Sequence, residues 1–98
     1  MALQITKNQG IFEIKGSIVA ENTKSLQHHF ENLLFNSDKV ILCMDKVKKI
    51  DASGVTVLTK LFRNAMEHNK VFYIIGKENK KVSNAFGKVN YILRSDFV

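Results

Sequence analysis

Hydrophobic and polar positions change their spacing several times along this chain, and each change marks a new element. Leu3 and Ile5 share one side of a weak alternation over residues 2–7, the two-residue period of a half-buried strand. Asn8-Gln9-Gly10 supplies turn chemistry and Ile11-Phe12-Glu13-Ile14-Lys15 alternates again, which predicts a β-hairpin closed by Gly16. From Asn22 the period lengthens. Leu26, Phe30, Leu33 and Leu34 recur at the spacing of one helical stripe. Asn22 or Thr23 can cap that helix, and Asn36-Ser37-Asp38 ends it.

Val40-Ile41-Leu42-Cys43-Met44 and Val71-Phe72-Tyr73-Ile74-Ile75 are continuous apolar runs of strand formers, the second stopped by Gly76. Such strands are covered on both sides or paired in the middle of a sheet. Between them Val55, Leu58, Leu61, Phe62, Ala65 and Met66 form a second helical stripe. Strand, helix and strand at this spacing predict a βαβ unit with parallel strands and a right-handed crossover. A third, short helix is expected around 78–86, with Val82, Ala85 and Phe86 inward and Gly87 ending it; Tyr91-Ile92-Leu93 offers a last short strand. The order β-β-α-β-α-β-α-(β) predicts an α/β fold, one domain over residues 1–98, with helices on one face of a mixed sheet. Phe12, Phe30, Phe62 and Phe72 fall on core stripes, whereas the pattern does not place Phe35, Tyr73 or Phe97.

Composition narrows the class. Of 98 residues 45% are hydrophobic, none is proline and 5 are glycine, which leaves no room for a second domain or a disordered linker. The apolar runs fall far short of the ~18–20 residues of a membrane helix. The opening residues Met1–Gly10 lack the apolar core of a secretion signal. A single cysteine, Cys43, precludes an internal disulfide and fits a reducing compartment. A cytoplasmic protein is expected. The net charge is +6, and every cation except Arg63 and Arg94 is a lysine. The lysines are spread out, densest at Lys46, Lys48 and Lys49 and at Lys77, Lys80 and Lys81, without interleaved stacking aromatics. That pattern fits a solvated surface or a face for an acidic protein, and not a nucleic-acid reader.

The most informative segment is Lys49-Ile50-Asp51-Ala52-Ser53-Gly54-Val55, between a strand and an amphipathic helix. A tight loop there places Ser53 near the helix N-cap and Asp51 just before it, beside the outward-pointing first amides and the positive end of the helix dipole. Such a place binds an anion or shows a small hydroxyl to a partner; equally, Ser53 and Asp51 serve only to cap the helix.

Ile50-Asp51-Ala52-Ser53-Gly54-Val55-x-Val57-Leu58 resembles the signature of STAS domains, a family that includes the anti-sigma factor antagonists. Their usual version reads Asp-Ser-Ser/Thr-Gly-Leu-Gly-Val-Leu. Gly16-Ser17-Ile18 is similar to the family's Gly-Glu-Ile/Leu before the first helix, and the later elements follow at family spacing. The resemblance implies a non-enzymatic switch that binds an anti-sigma factor of the serine-kinase type and is released when the serine after the Asp is phosphorylated. Added charge in a packed interface repels and costs desolvation. Two positions depart from the pattern. Ala52 stands where the acceptor serine belongs, and Val19 stands where an acidic residue is usual. The resemblance therefore implies a partner-binding loop at Asp51, Ala52, Ser53, Gly54 and Val55, next to Ser17–Asn22, without the usual acceptor. Ser53 is the alternative phosphorylation site, and Lys46, Lys48 and Lys49 at the edge could steer an acidic partner. A second family role, a cytoplasmic subunit docking on an ABC-type lipid transporter, needs no acceptor serine. A nucleotide or anion site at Ser53–Val55 is the third reading.

The other candidates imply no metal, cofactor or catalytic group. Adjacent His28 and His29 diverge by about 100° on a helix. His68 stands alone near a helix end, Cys43 reads as an inert core thiol, and no glycine-rich phosphate loop is present.

Overall fold

The computed structural model describes residues 3–96; the start of the alternation over 2–7 and Phe97 lie outside the described residues. Eight main elements follow in chain order: β1 (Leu3–Asn8), β2 (Ile11–Ile18), α1 (Thr23–Asn36), β3 (Lys39–Ile50), α2 (Ala52–Glu67), β4 (Val71–Ile75), α3 (Lys80–Phe86) and, after a 3-10 turn over Gly87–Ile92, β5 (Leu93–Arg94). The strands lie in the order β1-β2-β3-β4-β5. The β1–β2 pair is antiparallel, as the hairpin pattern predicts, and the other three are parallel, of which the crossover pattern predicts β3–β4.

Strand parity decides which side is covered. Ile14 and Ile18 of β2, Val40, Leu42 and Met44 of β3, and Phe72 and Ile74 of β4 form one buried cluster with Leu26, Phe30 and Leu34 of α1, Leu58, Leu61 and Ala65 of α2, and Val82 and Phe86 of α3. The helices thus pack on one face. The intervening residues Ile41, Cys43, Tyr73 and Ile75 point to the opposite face, which explains why β3 and β4 read as apolar throughout. On that face Tyr73 lies between Lys39 Nζ, 5.7 Å from its ring centre, and the Arg94 guanidinium at 4.7 Å.

Several expectations need correction. Gly16 does not close the hairpin; the turn is Gln9-Gly10, and β2 runs on to Ile18, with Gly16 at φ +97° beside a register shift. β3 continues past Met44 through the lysines to Ile50, because β2 pairs with it through Ile18↔Ile50. Its polar end hid a strand in which Asp45, Lys46, Lys48 and Lys49 are exposed and Val47 is buried. Asn22 holds the α1 N-cap position without a side-chain bond to the helix; its amide instead donates to Ser17 O and accepts from Val19 N–H. Met66 (62% exposed) and Ala85 leave their stripes: the buried residues of α2 are Gly54, Leu58, Leu61 and Ala65, and those of α3 are Val82 and Phe86. Tyr91 and Ile92 lie in the 3-10 turn, and the last strand is Leu93–Arg94. Gly87 ends α3 as expected, at φ +54° with its N–H on Ser83 O.

Candidate partner-binding site

Parallel pairing brings the C-terminal ends of β2 and β3 side by side, with Ser17 opposite Lys49 and Ile18 opposite Ile50. The two segments leaving them, Val19–Asn22 toward α1 and Asp51 toward α2, therefore emerge together. In open α/β sheets that carboxyl end is where binding sites form.

Asp51 joins the segments. Its backbone is extended (φ −105°, ψ −178°), and its carboxylate caps α2 by accepting the Gly54 N–H at 3.1 Å. The other carboxylate oxygen accepts the Ala20 N–H at 3.1 Å, and the Asp51 N–H donates to Ile18 O at 3.1 Å. The sequence reading put Ser53 near the cap; the cap is Asp51, because β3 runs as far as Ile50 and α2 begins at Ala52. Ala52, Ser53 and Gly54 are accordingly the first turn of a helix and not a loop. Ala52 is exposed and Ser53 half-buried.

Gly54 is buried and admits nothing larger. A Cβ there would stand 2.7 Å from Ile18 Cγ2, 2.9 Å from Ile50 Cγ1 and 3.1 Å from Ile18 O. Glycine lets the first turn of α2 approach the strand ends, and so fixes how far Ala52 stands out. Val55 is half-buried and packs against the core; Val19 is half-buried and makes no part of it.

The same geometry weighs against the anion reading. Gly54 N–H is taken by the Asp51 carboxylate and Val55 N–H by Asp51 O, at 3.1 and 3.2 Å. Neither the Gly54 nor the Val55 N–H is thus open to an anion.

The lysines divide. Lys46 lies 3.6 Å from Glu13, which also draws Lys15 at 3.9 Å. Lys48 and Lys49 instead line a shallow hollow with Ile50, Lys81, Asn84 and Ala85, so the patch beside the motif contains Lys81 from α3. Its position was not readable from sequence, because Asn79 sets it. The Asn79 amide donates to Val47 O at 2.9 Å and Met44 O at 3.0 Å, while its oxygen accepts the Lys81 N–H at 3.1 Å, pinning α3 to the polar half of β3.

No grouping of three metal-ligating side chains exists among the described residues. His29 packs edge-on against Phe12 and Phe30, and His68 Nδ1 lies 2.8 Å from Asn64 O at the end of α2. Cys43 is half-buried on the open face rather than in the core, its thiol 3.6 Å from Asp45. Burial pushes its pKa above the ordinary 9.0, and the nearby Asp45 and Glu13 charges add to the rise. An apolar hollow of about 190 Å³ lies at the far ends of α1 and α2, between Leu34, Phe35, Leu61 and Ala65. Phe35 is 81% exposed at its rim.

The STAS domain family model matches residues 1–80. Among curated proteins none matches the chain significantly. Solved structures show the same fold at low identity. The anti-sigma factor antagonist SpoIIAA in its unphosphorylated form is 13% identical with a TM-score of 0.74, covering 98% of this chain and 89% of that one. The Bacillus cell fate determinant SpoIIAA in the phosphorylated form is 14% identical with a TM-score of 0.68, covering 98% and 92%. An anti-sigma factor antagonist from Mycobacterium paratuberculosis is 12% identical with a TM-score of 0.72, covering 98% and 86%.

Proposed function

This chain belongs to the STAS domain family, and from that premise we propose that it is a non-enzymatic protein–protein recognition module. Its partner is an anti-sigma factor of the serine-kinase type, bound in a cytoplasmic, bacterial partner-switching pathway that regulates transcription. The observation that carries this reading is the Asp51 junction. One carboxylate holds the Ala20 segment and the first turn of α2 together and presents Ala52, Ser53 and their neighbours as one preformed surface. A preformed surface binds without the cost of ordering it.

Ala52 makes this member different from a phospho-switch. A methyl group at the first position of α2 has no oxygen for a phosphoryl group. Ser53, half-buried on the next position, is a poorer acceptor than an exposed residue. The module then binds constitutively, and its availability is set by amount or by competition.

Ala52 equally favours a second reading, docking on an ABC-type lipid transporter, which requires no acceptor. Affinity capture from the source cells, with partners identified by mass spectrometry, separates the two. Recovery of an anti-sigma kinase is expected, and reconstitution of that pair from purified proteins follows. Recovery of transporter subunits in its place overturns the partner-switching reading.

A further inference from the structure

The outer edge of β1 is built to pair. Gln9 and Gly10 both have positive φ, +52° and +81°, the geometry of a two-residue hairpin turn closed by Asn8 and Ile11. Across such a turn the closing residues exchange both main-chain hydrogen bonds, and every second pair does the same. Asn8↔Ile11, Thr6↔Glu13 and Gln4↔Lys15 are those pairs. The N–H and C=O groups of Leu3, Ile5 and Lys7 consequently point away from β2, where the sheet has no further strand among the described residues.

Proteins usually guard such an edge with proline, a bulge, a charge or a very short strand. β1 has no proline, no bulge and no very short length, and its only charge is Lys7. It is 6 residues long and pairs with β2 without a register shift. The sequence contains no proline. Its one charged side chain, Lys7, carries its ammonium 5.4 Å from the Phe12 ring centre, drawn back over its own hairpin. The opposite edge, by contrast, ends in the 2-residue β5.

We propose that β1 pairs antiparallel with β1 of a second copy of this chain, about a two-fold axis at Ile5, joining the two sheets into one. The register is self-complementary. With Ile5 opposite Ile5, Gln4 faces Thr6 of the second copy and Leu3 faces its Lys7. All three outward residues then enter hydrogen-bonded pairs, two bonds in each, and no charge meets a like charge. Sliding one strand by two residues keeps only two of these pairs among the described residues. Sliding by one sets outward groups against groups already bonded within the hairpin. The proposal is independent of the partner-switching reading, since the edge lies outside the Asp51 surface.

Sedimentation of the purified chain over a hundredfold concentration range tests it, with a reversible monomer–dimer equilibrium expected. Lys7→Pro removes an outward donor while leaving the β1–β2 ladder intact; it is expected to weaken the dimer at least tenfold with unchanged circular dichroism. In a Cys43→Ser background, Ile5→Cys places two thiols across the axis at about the 5.5 Å Cα separation that suits a disulfide. It is expected to cross-link on oxidation, and Thr6→Cys is not. A monomer at every concentration, or cross-linking of Thr6→Cys as fast as Ile5→Cys, overturns the proposal.

Discussion

The Asp51 carboxylate accepts the backbone N–H of Ala20 at 3.1 Å, across 31 positions of sequence. With its second oxygen on Gly54 N–H, one side chain sets both the start of α2 and the path of the segment entering α1. Asp51→Ala is expected to lower stability by about 1–3 kcal/mol, through a lost cap and a lost long-range bond. For a domain of this size that is a Tm lower by roughly 4–8 °C per kcal/mol. Asp51→Asn keeps an acceptor for Gly54 but offers Ala20 only one oxygen to share, and should fall between. Thermal unfolding of the three proteins gives the order; equal Tm values would refute it.

Gly54→Ala brings opposed effects. Alanine favours a helix over glycine by about 1 kcal/mol, but its Cβ would stand 2.7 Å from Ile18 Cγ2 and 3.1 Å from a backbone oxygen. Overpacking of this kind costs about 1–3 kcal/mol. Net destabilisation is expected, read as a lower urea midpoint with an unchanged slope.

Ala52 separates stability from binding. Ala52→Glu puts an acidic residue in the first turn of α2, where the helix dipole favours it by about 0.3–1 kcal/mol. The same charge lies on the surface proposed to meet the partner. A slightly raised Tm with at least tenfold weaker binding to the captured anti-sigma kinase is the expected pair of results. Unweakened binding would remove Ala52 from the interface. Ala52→Ser should restore phosphate transfer from that kinase and ATP, measured by intact mass.

Charge reversal at Lys48 and Lys49 should slow association with an acidic partner and flatten its salt dependence. Reversal at Lys81 should do the same, because it lines the same hollow. Reversal at Lys46, already beside Glu13, should change the rate least. Stopped-flow association at two ionic strengths ranks the four.

Cys43 supplies a pH-dependent test. Its folded pKa is raised above 9.0 by burial, so the folded state holds the thiol proton more tightly than the unfolded chain. That contribution to stability is complete below about pH 9 and is lost as pH climbs through the folded value. Alkylation at pH 8 should run slower in the native protein than in denaturant. Equal rates would contradict the burial.

The fold was legible because the apolar spacing is strong where helices cover the sheet. Leu26, Phe30 and Leu34, or Leu58, Leu61 and Ala65, follow from periodicity alone. The polar half of β3 was not legible. Lys46, Lys48 and Lys49 fell outside the apolar strand run because solvent surrounds their side chains, while their backbones are fixed by β2. The site was half legible. The motif marked Asp51 to Gly54, but which residue caps α2 depends on where β3 stops. That end is set by pairing with a strand about thirty residues earlier. Ala20 and Lys81 joined the site only through contacts that no local pattern encodes.

Strand order in the sheet equals strand order in the chain. Each new strand is added to the edge left by the one before, and none must be threaded between two already paired. As synthesis proceeds from the N-terminus, the hairpin can form first, β3 can dock when α1 has emerged, and β4 can dock after α2. Assembly by accretion needs no intermediate to reopen. With no proline in the chain, it also meets no slow isomerisation, so refolding should complete without a phase of tens of seconds.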